Sequence, residues 1–190
     1  MALEADYVND LLNVIQDERS KVELKNEVIN TDSTRSAFIV SKAKLSSQQY
    51  GAALEKHIKK KFKWNAQIDN KSGDSTTLKG NRIEIKCSIE DATGGFNYVQ
   101  IRPWHTLEFY LLANYSIKTD EVIFLLCPKK EFVDLVVSNG QLAHGTKDAT
   151  GEYDEYAYRP KMHRKLGTKG RQQWEDLQQW KVSEEALYEI

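Results

Sequence analysis

The chain is predicted to fold as an α/β protein with a mixed central β-sheet flanked by helices. Three observations predict this. Segments with apolar residues at helical spacing, 46–62, 128–136 and 170–182, are interspersed with segments of strand character, 64–68, 82–89, 96–101, 107–117 and 121–127. The runs 107–117 and 121–127 are apolar almost throughout, as in central strands covered on both faces. A hydrophobic fraction of 40% over 190 residues is enough for one buried core and calls for no second domain.

From Leu3 to Ile29 the apolar residues Tyr7, Val8, Leu11, Leu12 and Ile15 form one stripe, which predicts a helix serving as scaffold or dimer surface. Ser46 with Gln49 is a capping-box pair and Leu45 with Tyr50 a hydrophobic staple. A helix is therefore expected from Ser46 or Ser47 to about Phe62, with Tyr50, Leu54, Ile58 and Phe62 facing the core. Glu55 lies beside that stripe, whereas Lys56, Lys59, Lys60, Lys61 and Lys63 crowd the rest of the surface and the exit. Trp64, Ala66 and Ile68 alternate as a first strand, and 69–73 is a turn.

The stretch 72–86 reads as a hairpin. From Arg82 to Ile89 the residues alternate, with Ile83, Ile85, Cys87 and Ile89 on one face and Arg82, Glu84, Lys86 and Ser88 on the other. A three-residue loop at Lys79-Gly80-Asn81 sets Asp74 opposite Lys86 and Thr76 opposite Glu84, so that all ionisable groups share a face. A two-residue loop would turn Asp74 away. Residues 96–101 alternate by twos until Pro103 ends the strand.

Pro128 is expected to open a helix through Val136, with Phe132, Leu135 and Val136 inward and Gly140 past its end. A polar loop, 140–151, and the aromatic segment Tyr153, Tyr156 and Tyr158 lead into 159–171. That stretch carries Arg159, Lys161, His163, Arg164, Lys165, Lys169 and Arg171 and no acid. A final helix is expected over about 170–182 with Trp174 and Leu177 inward. The single domain thus divides into an N-terminal helical segment (1–45), a core (46–128), and C-terminal helices with a basic segment (129–190).

Lys and Arg number 27 against 28 Asp and Glu, a net charge of −1, which excludes a generally basic nucleic-acid coat and leaves room for a local basic groove. The two cysteines, Cys87 and Cys127, fall in apolar runs. They predict buried reduced thiols in an intracellular, cytoplasmic protein and exclude a Cys-rich zinc site. No basic leader opens the chain, and no apolar run approaches the roughly 18 residues of a membrane span.

Asp74, Glu84 and Glu55 are oxygen donors of the kind a hard cation such as Mg²⁺ takes, and with the backbone carbonyl of Ile85 they form a candidate metal site for phosphodiester chemistry. Lys86 on the same face suits hydrogen bonding to an attacking water or neutralising developing charge. The bland reading is a solvated sheet face, with Glu55 paired to Lys59 along its helix. Lys59, Lys60 and Lys63, and Arg159, Lys161, Arg164 and Lys165, fit contacts to a phosphate backbone. Asn97, Gln100 and Arg102, and in the later loop Gln141, His144 and Lys147, have the donor and acceptor types that read base edges. His105 and His144 are candidate general bases, against the commoner structural role of a lone histidine.

Helix acid Glu55, then Gly73-Asp74, then Ile83-Glu84-Ile85-Lys86, then Val-Gln-Ile-Arg-Pro-Trp-His at 99–105 before an aromatic and leucine-rich strand together resemble the PD-(D/E)XK nucleases, and among them the type II restriction endonucleases, over about Tyr50 to Pro128. Gly73-Asp74 stands where that family has proline and aspartate. The resemblance implies a restriction-endonuclease-like core in which Asp74 and Glu84 are metal ligands and Lys86 is the catalytic lysine, with Glu55 matching the helix acid. It implies a Mg²⁺-dependent endonuclease cutting double-stranded DNA at a short specific sequence. A palindromic site calls for a homodimer. The alternatives are a structure-specific repair or junction-resolving nuclease of the same fold and a non-catalytic DNA-binding or interaction module.

Overall fold

The structure, a computed structural model, describes residues 7–21, 38, 41–43, 45–66, 69, 72–116, 119–140 and 157–190. Two helices precede the sheet. α1 (Tyr7–Lys21) buries Leu11 and Ile15. α2 (Ser47–Lys61) begins at the expected capping box: the Ser46 hydroxyl accepts from the Gln49 amide at 3.3 Å, and Gln49 Oε1 accepts from the Ser46 amide at 3.0 Å. Leu54, Ile58 and Phe62 of its core stripe are buried, and Tyr50 is half-buried. The helical turns expected over 22–29 and the strand position of Ile68 lie outside the described residues.

The central sheet is built from β1 (Asn65–Ala66), β2 (Ser75–Thr76), β3 (Arg82–Ile89), β5 (Phe109–Ser116), β6 (Glu121–Pro128) and β8 (Lys181–Val182), in that spatial order. Neighbours are antiparallel except β3 and β5, which run parallel, so the sheet is mixed. β5 is central and buried on both faces. Tyr110 and Leu112 join Tyr98, Ile101, Leu125, Phe132 and Trp174 on one side, and Leu111 and Ala113 join Ile58, Phe62, Ile83, Ile85 and Phe124 on the other. Each fully buried Leu, Ile or Phe contributes about 2 kcal/mol, so these two layers rather than polar contacts hold the sheet. Asn114 is a buried polar residue within β5 with its hydrogen bonds met: it accepts from Tyr98 Oη (2.7 Å) and donates to the carbonyls of Leu112 and Ile123. α3 (Lys129–Ser138) follows Pro128, as expected, and buries Phe132 and Val136, with Leu135 only partly covered. Both cysteines are free.

Two expectations are corrected. Residues 96–101 do not form one continuous strand. β4 (Gly95–Asn97) pairs with β7 (Lys161–His163) in a separate ribbon. The Tyr98 amide donates to the Pro160 carbonyl, but the next pairing joins Ile101 to Tyr158, one residue out of step, with Gln100 at φ +58° taking up the extra residue. That bulge reverses the alternation, and Ile101 is buried with Phe96 and Tyr98. The C-terminal helix is also shorter than expected. α4 (Lys169–Leu177) buries Trp174 and Leu177, but a 3₁₀ turn (Gln178–Trp180) follows, and Lys181–Val182 then pairs with Phe124 and Leu125 as an edge strand. The backbone of β6 gains partners there that a longer helix would have denied it. Ser183 then caps α5 (Glu184–Tyr188), accepting from the Ala186 amide. Among the described residues, no helix is long and apolar enough to cross a membrane.

Candidate functional site

β2 pairs with β3 through Ser75 opposite Ile83 and Thr76 opposite Arg82, not through the expected Thr76 opposite Glu84. The loop is Leu78-Lys79-Gly80: the Thr77 amide donates to the Asn81 carbonyl (2.9 Å), the Gly80 amide donates to the Thr77 carbonyl (3.0 Å), and Gly80 has φ +86°. A three-residue hairpin loop wants its left-handed residue third, and glycine takes that place more readily than asparagine. The slip amounts to two residues, so it leaves Asp74 on the side of Glu84 and Lys86.

β2 covers only the start of β3, and beyond it Asp74 takes over as hydrogen-bond partner. Its amide donates to the Ile83 carbonyl, and its Oδ2 accepts from the Ile85 amide, each at 2.8 Å. Gly73 permits this approach. It has φ +82°, and a Cβ there would lie 2.6 Å from the Ile83 carbonyl oxygen.

Lys86 is the hub of the cluster. Its Nζ lies 2.6 Å from Glu84 Oε1 and 4.0 Å from Asp74 Oδ2, and Glu84 is only 4% exposed. Burial would push the Glu84 carboxyl up, but His105 and the Lys86 ammonium outweigh it and hold the group down at about 2. Burial likewise opposes the charged form of Lys86, yet Glu84, Asp74 and Glu55 together raise its pKa. Glu55 reaches the same field from α2. Burial drives its carboxyl up to about 7 against the pull of Lys86, with Asp74 and Glu84 adding to the rise. Asp74 is raised too, by burial first and by Glu84, against Lys86 and the Ile85 amide. Lys59, expected on a DNA-facing surface, sends its Nζ to the Asp74 carbonyl at 3.4 Å and so belongs to this cluster. Three carboxylates thus crowd a partly buried edge.

The turn Arg102–His105 closes the site from the β5 side. The His105 amide and Tyr110 Oη both donate to the Arg102 carbonyl (3.1 and 2.8 Å), and Lys129 Nζ donates to the His105 carbonyl (2.6 Å). Glu108 ties the following residues to the start of β3, its amide donating to the Arg82 carbonyl and its carboxylate accepting from the Arg82 amide and guanidinium. His105 is buried, and its Nδ1 points at Glu84 Oε2, 3.6 Å away. Sequence reasoning offered His105 as a general base or a structural histidine, with no partner named. Its meeting with Glu84 depends on the β3–β5 pairing and has no local signal.

Of the residues expected to contact DNA, the ribbon collects several. Asn97 and Lys161 are exposed and directly opposite each other, and Arg159 Nε donates to Asn97 Oδ1 at 3.2 Å. The Asn97 amide donates to Ser88 Oγ, which lies on the Glu84 and Lys86 face of β3, so the ribbon is attached next to the acidic cluster. Gln100 sits at the bulge and Arg102 at the turn that carries His105. Arg164 is engaged within the protein, over the Trp174 ring (5.8 Å) and 3.9 Å from Glu90 Oε2. Lys60, Lys63 and Lys165 are exposed. Gln141, His144 and Lys147 lie outside the described residues.

The donor set suits a hard divalent cation: three carboxylates in one cluster, with Glu55 driven up by burial first and by Asp74 and Glu84 after it. Among the described residues, however, no three His, Cys, Asp or Glu side chains stand close enough together to hold an ion as they are. The Lys86 ammonium lies between Glu84 and Asp74. Compared with known proteins, the chain matches no protein-family model and no curated protein by sequence.

Proposed function

We propose that the chain is a Mg²⁺-dependent endonuclease that hydrolyses double-stranded DNA at a short specific sequence, in the manner of a type II restriction enzyme, and works as a homodimer. The observation that carries this reading is the gathering of Asp74, Glu84 and Glu55 around Lys86 at the edge of β3. Asp74, Glu84 and Glu55, with the Ile85 carbonyl, would hold the ion. When bound, it supplies positive charge at the scissile phosphate and makes water more acidic. Lys86 then turns from its carboxylate partners to hydrogen-bond the attacking water and offset charge that develops on the phosphate. Lys60, Lys63, Arg159, Lys161 and Lys165 bind the phosphate backbone, and Asn97, Gln100 and Arg102 meet base edges. Incubation of plasmid DNA with the protein tests this: discrete fragments in Mg²⁺ and intact DNA in EDTA are expected, and cleavage confined to branched or mismatched DNA would move the reading to a repair nuclease.

A second reading, a DNA-binding module whose acidic cluster is structural, draws on the lack of a ready three-ligand group among the described residues. A protein that binds DNA and never cuts it under any divalent cation would favour that reading.

A further inference from the structure

We propose that His105 is a positioning residue for Glu84: its Nδ1–H donates to Glu84 Oε2 and, together with Lys86 on Oε1, fixes the plane of the carboxylate. The role in cleavage rests on reading the cluster as a nuclease centre; the contact itself does not. Glu84 Oε1 meets Lys86 Nζ at 2.6 Å, and Oε2 faces His105 Nδ1 at 3.6 Å, so the two oxygens have different partners. Nδ1 is buried and has no hydrogen-bond partner within 3.5 Å. A bare lone pair there would face a carboxylate oxygen, a repulsive arrangement, so the ring must carry its proton on Nδ1. A small inward movement of either group completes the bond.

The backbone around His105 is held as a positioning residue requires. The Arg102 carbonyl accepts from both the His105 amide and Tyr110 Oη, and the His105 carbonyl accepts from Lys129 Nζ. Tyr110 lies directly opposite Glu84 in the β3–β5 ladder, so the strand paired with the one that presents the carboxylate sets the turn that presents the imidazole. The ring is 7% exposed and is met edge-on by Trp104 at 6.1 Å. A partner of this kind acts on the reaction through the carboxylate it orients.

The test uses His105→Ala, His105→Asn, whose amide nitrogen falls near Nδ1, and His105→Gln, whose amide falls near Nε2. Single-turnover cleavage of plasmid DNA in Mg²⁺ should drop about 10- to 100-fold for His105→Ala and His105→Gln and return to within about threefold of wild type for His105→Asn. A readout without metal or activity accompanies it. In the ¹⁵N spectrum of histidine-labelled protein in EDTA, the resonance lost in His105→Asn should show an Nδ1-protonated ring and should move in Glu84→Gln. An Nε2-protonated ring, full activity of all three variants, or equal losses in all three overturns the positioning role. Wild type that never cuts DNA overturns the nuclease reading and the catalytic part of this one, while the spectrum still decides the contact.

Discussion

Glu55→Gln offers a stability test of the crowded carboxylates that needs no assumption about substrate. In the folded protein the Glu55 carboxyl is raised from 4.5 to about 7 by burial and by its acidic neighbours. Between those values the folded chain holds a proton that the unfolded chain has released, so stability falls as pH rises through the window and levels off above it. That rise corresponds to about 3 kcal/mol. Glutamine has the same shape and no proton to lose, so Glu55→Gln should gain about 3 kcal/mol over wild type between pH 4.5 and pH 8. Asp74 is raised in the same sense but is present in both proteins and does not remove the difference. Urea denaturation at pH 4.5 and pH 8 in EDTA measures it. Added Mg²⁺ at pH 8 should then stabilise wild type more than Glu55→Gln, because only wild type has the third carboxylate. A wild-type-to-variant difference that is the same at both pH values would refute the placement of Glu55 in the cluster.

Gly73→Ala places a Cβ 2.6 Å from the Ile83 carbonyl oxygen at φ +82°, and should cost about 1–3 kcal/mol in urea denaturation while lowering cleavage by displacing Asp74. Unchanged stability and unchanged cleavage together would show that Asp74 does not depend on this approach. Lys60→Ala, at an exposed position on α2, should weaken DNA binding equally for all sequences and reduce the slope of log K against log salt by about 1, read from fluorescence anisotropy titrations. An unchanged slope would remove α2 from the DNA surface.

Much of this site was legible because local rules agreed. The Ser46–Gln49 pair set the start of α2, and alternation over 82–89 put Glu84 and Lys86 on one side of a strand, as found. The register of the hairpin was missed by two residues because both glycine and asparagine tolerate positive φ, and the expected loop put Asn81 rather than Gly80 in the third place. Gly80 in the third place was the deciding signal. The separate ribbon was not legible, since one residue in an unusual conformation, Gln100, converts an apparently regular strand into a bulge. The edge strand Lys181–Val182 was hidden for a different reason: two residues have no periodicity to read, and their pairing with β6 is purely tertiary. His105 facing Glu84 is tertiary in the same way, set by which strand lies beside β3.

The most direct test of the central claim is single-turnover cleavage of plasmid DNA in Mg²⁺ by wild type, Asp74→Ala and Lys86→Ala, each first shown to be folded and to bind DNA in Ca²⁺. The account predicts discrete fragments from wild type and losses of at least about 100-fold in both variants. Full-rate cutting by either variant, or no cutting by a folded wild-type protein that binds DNA, would contradict it.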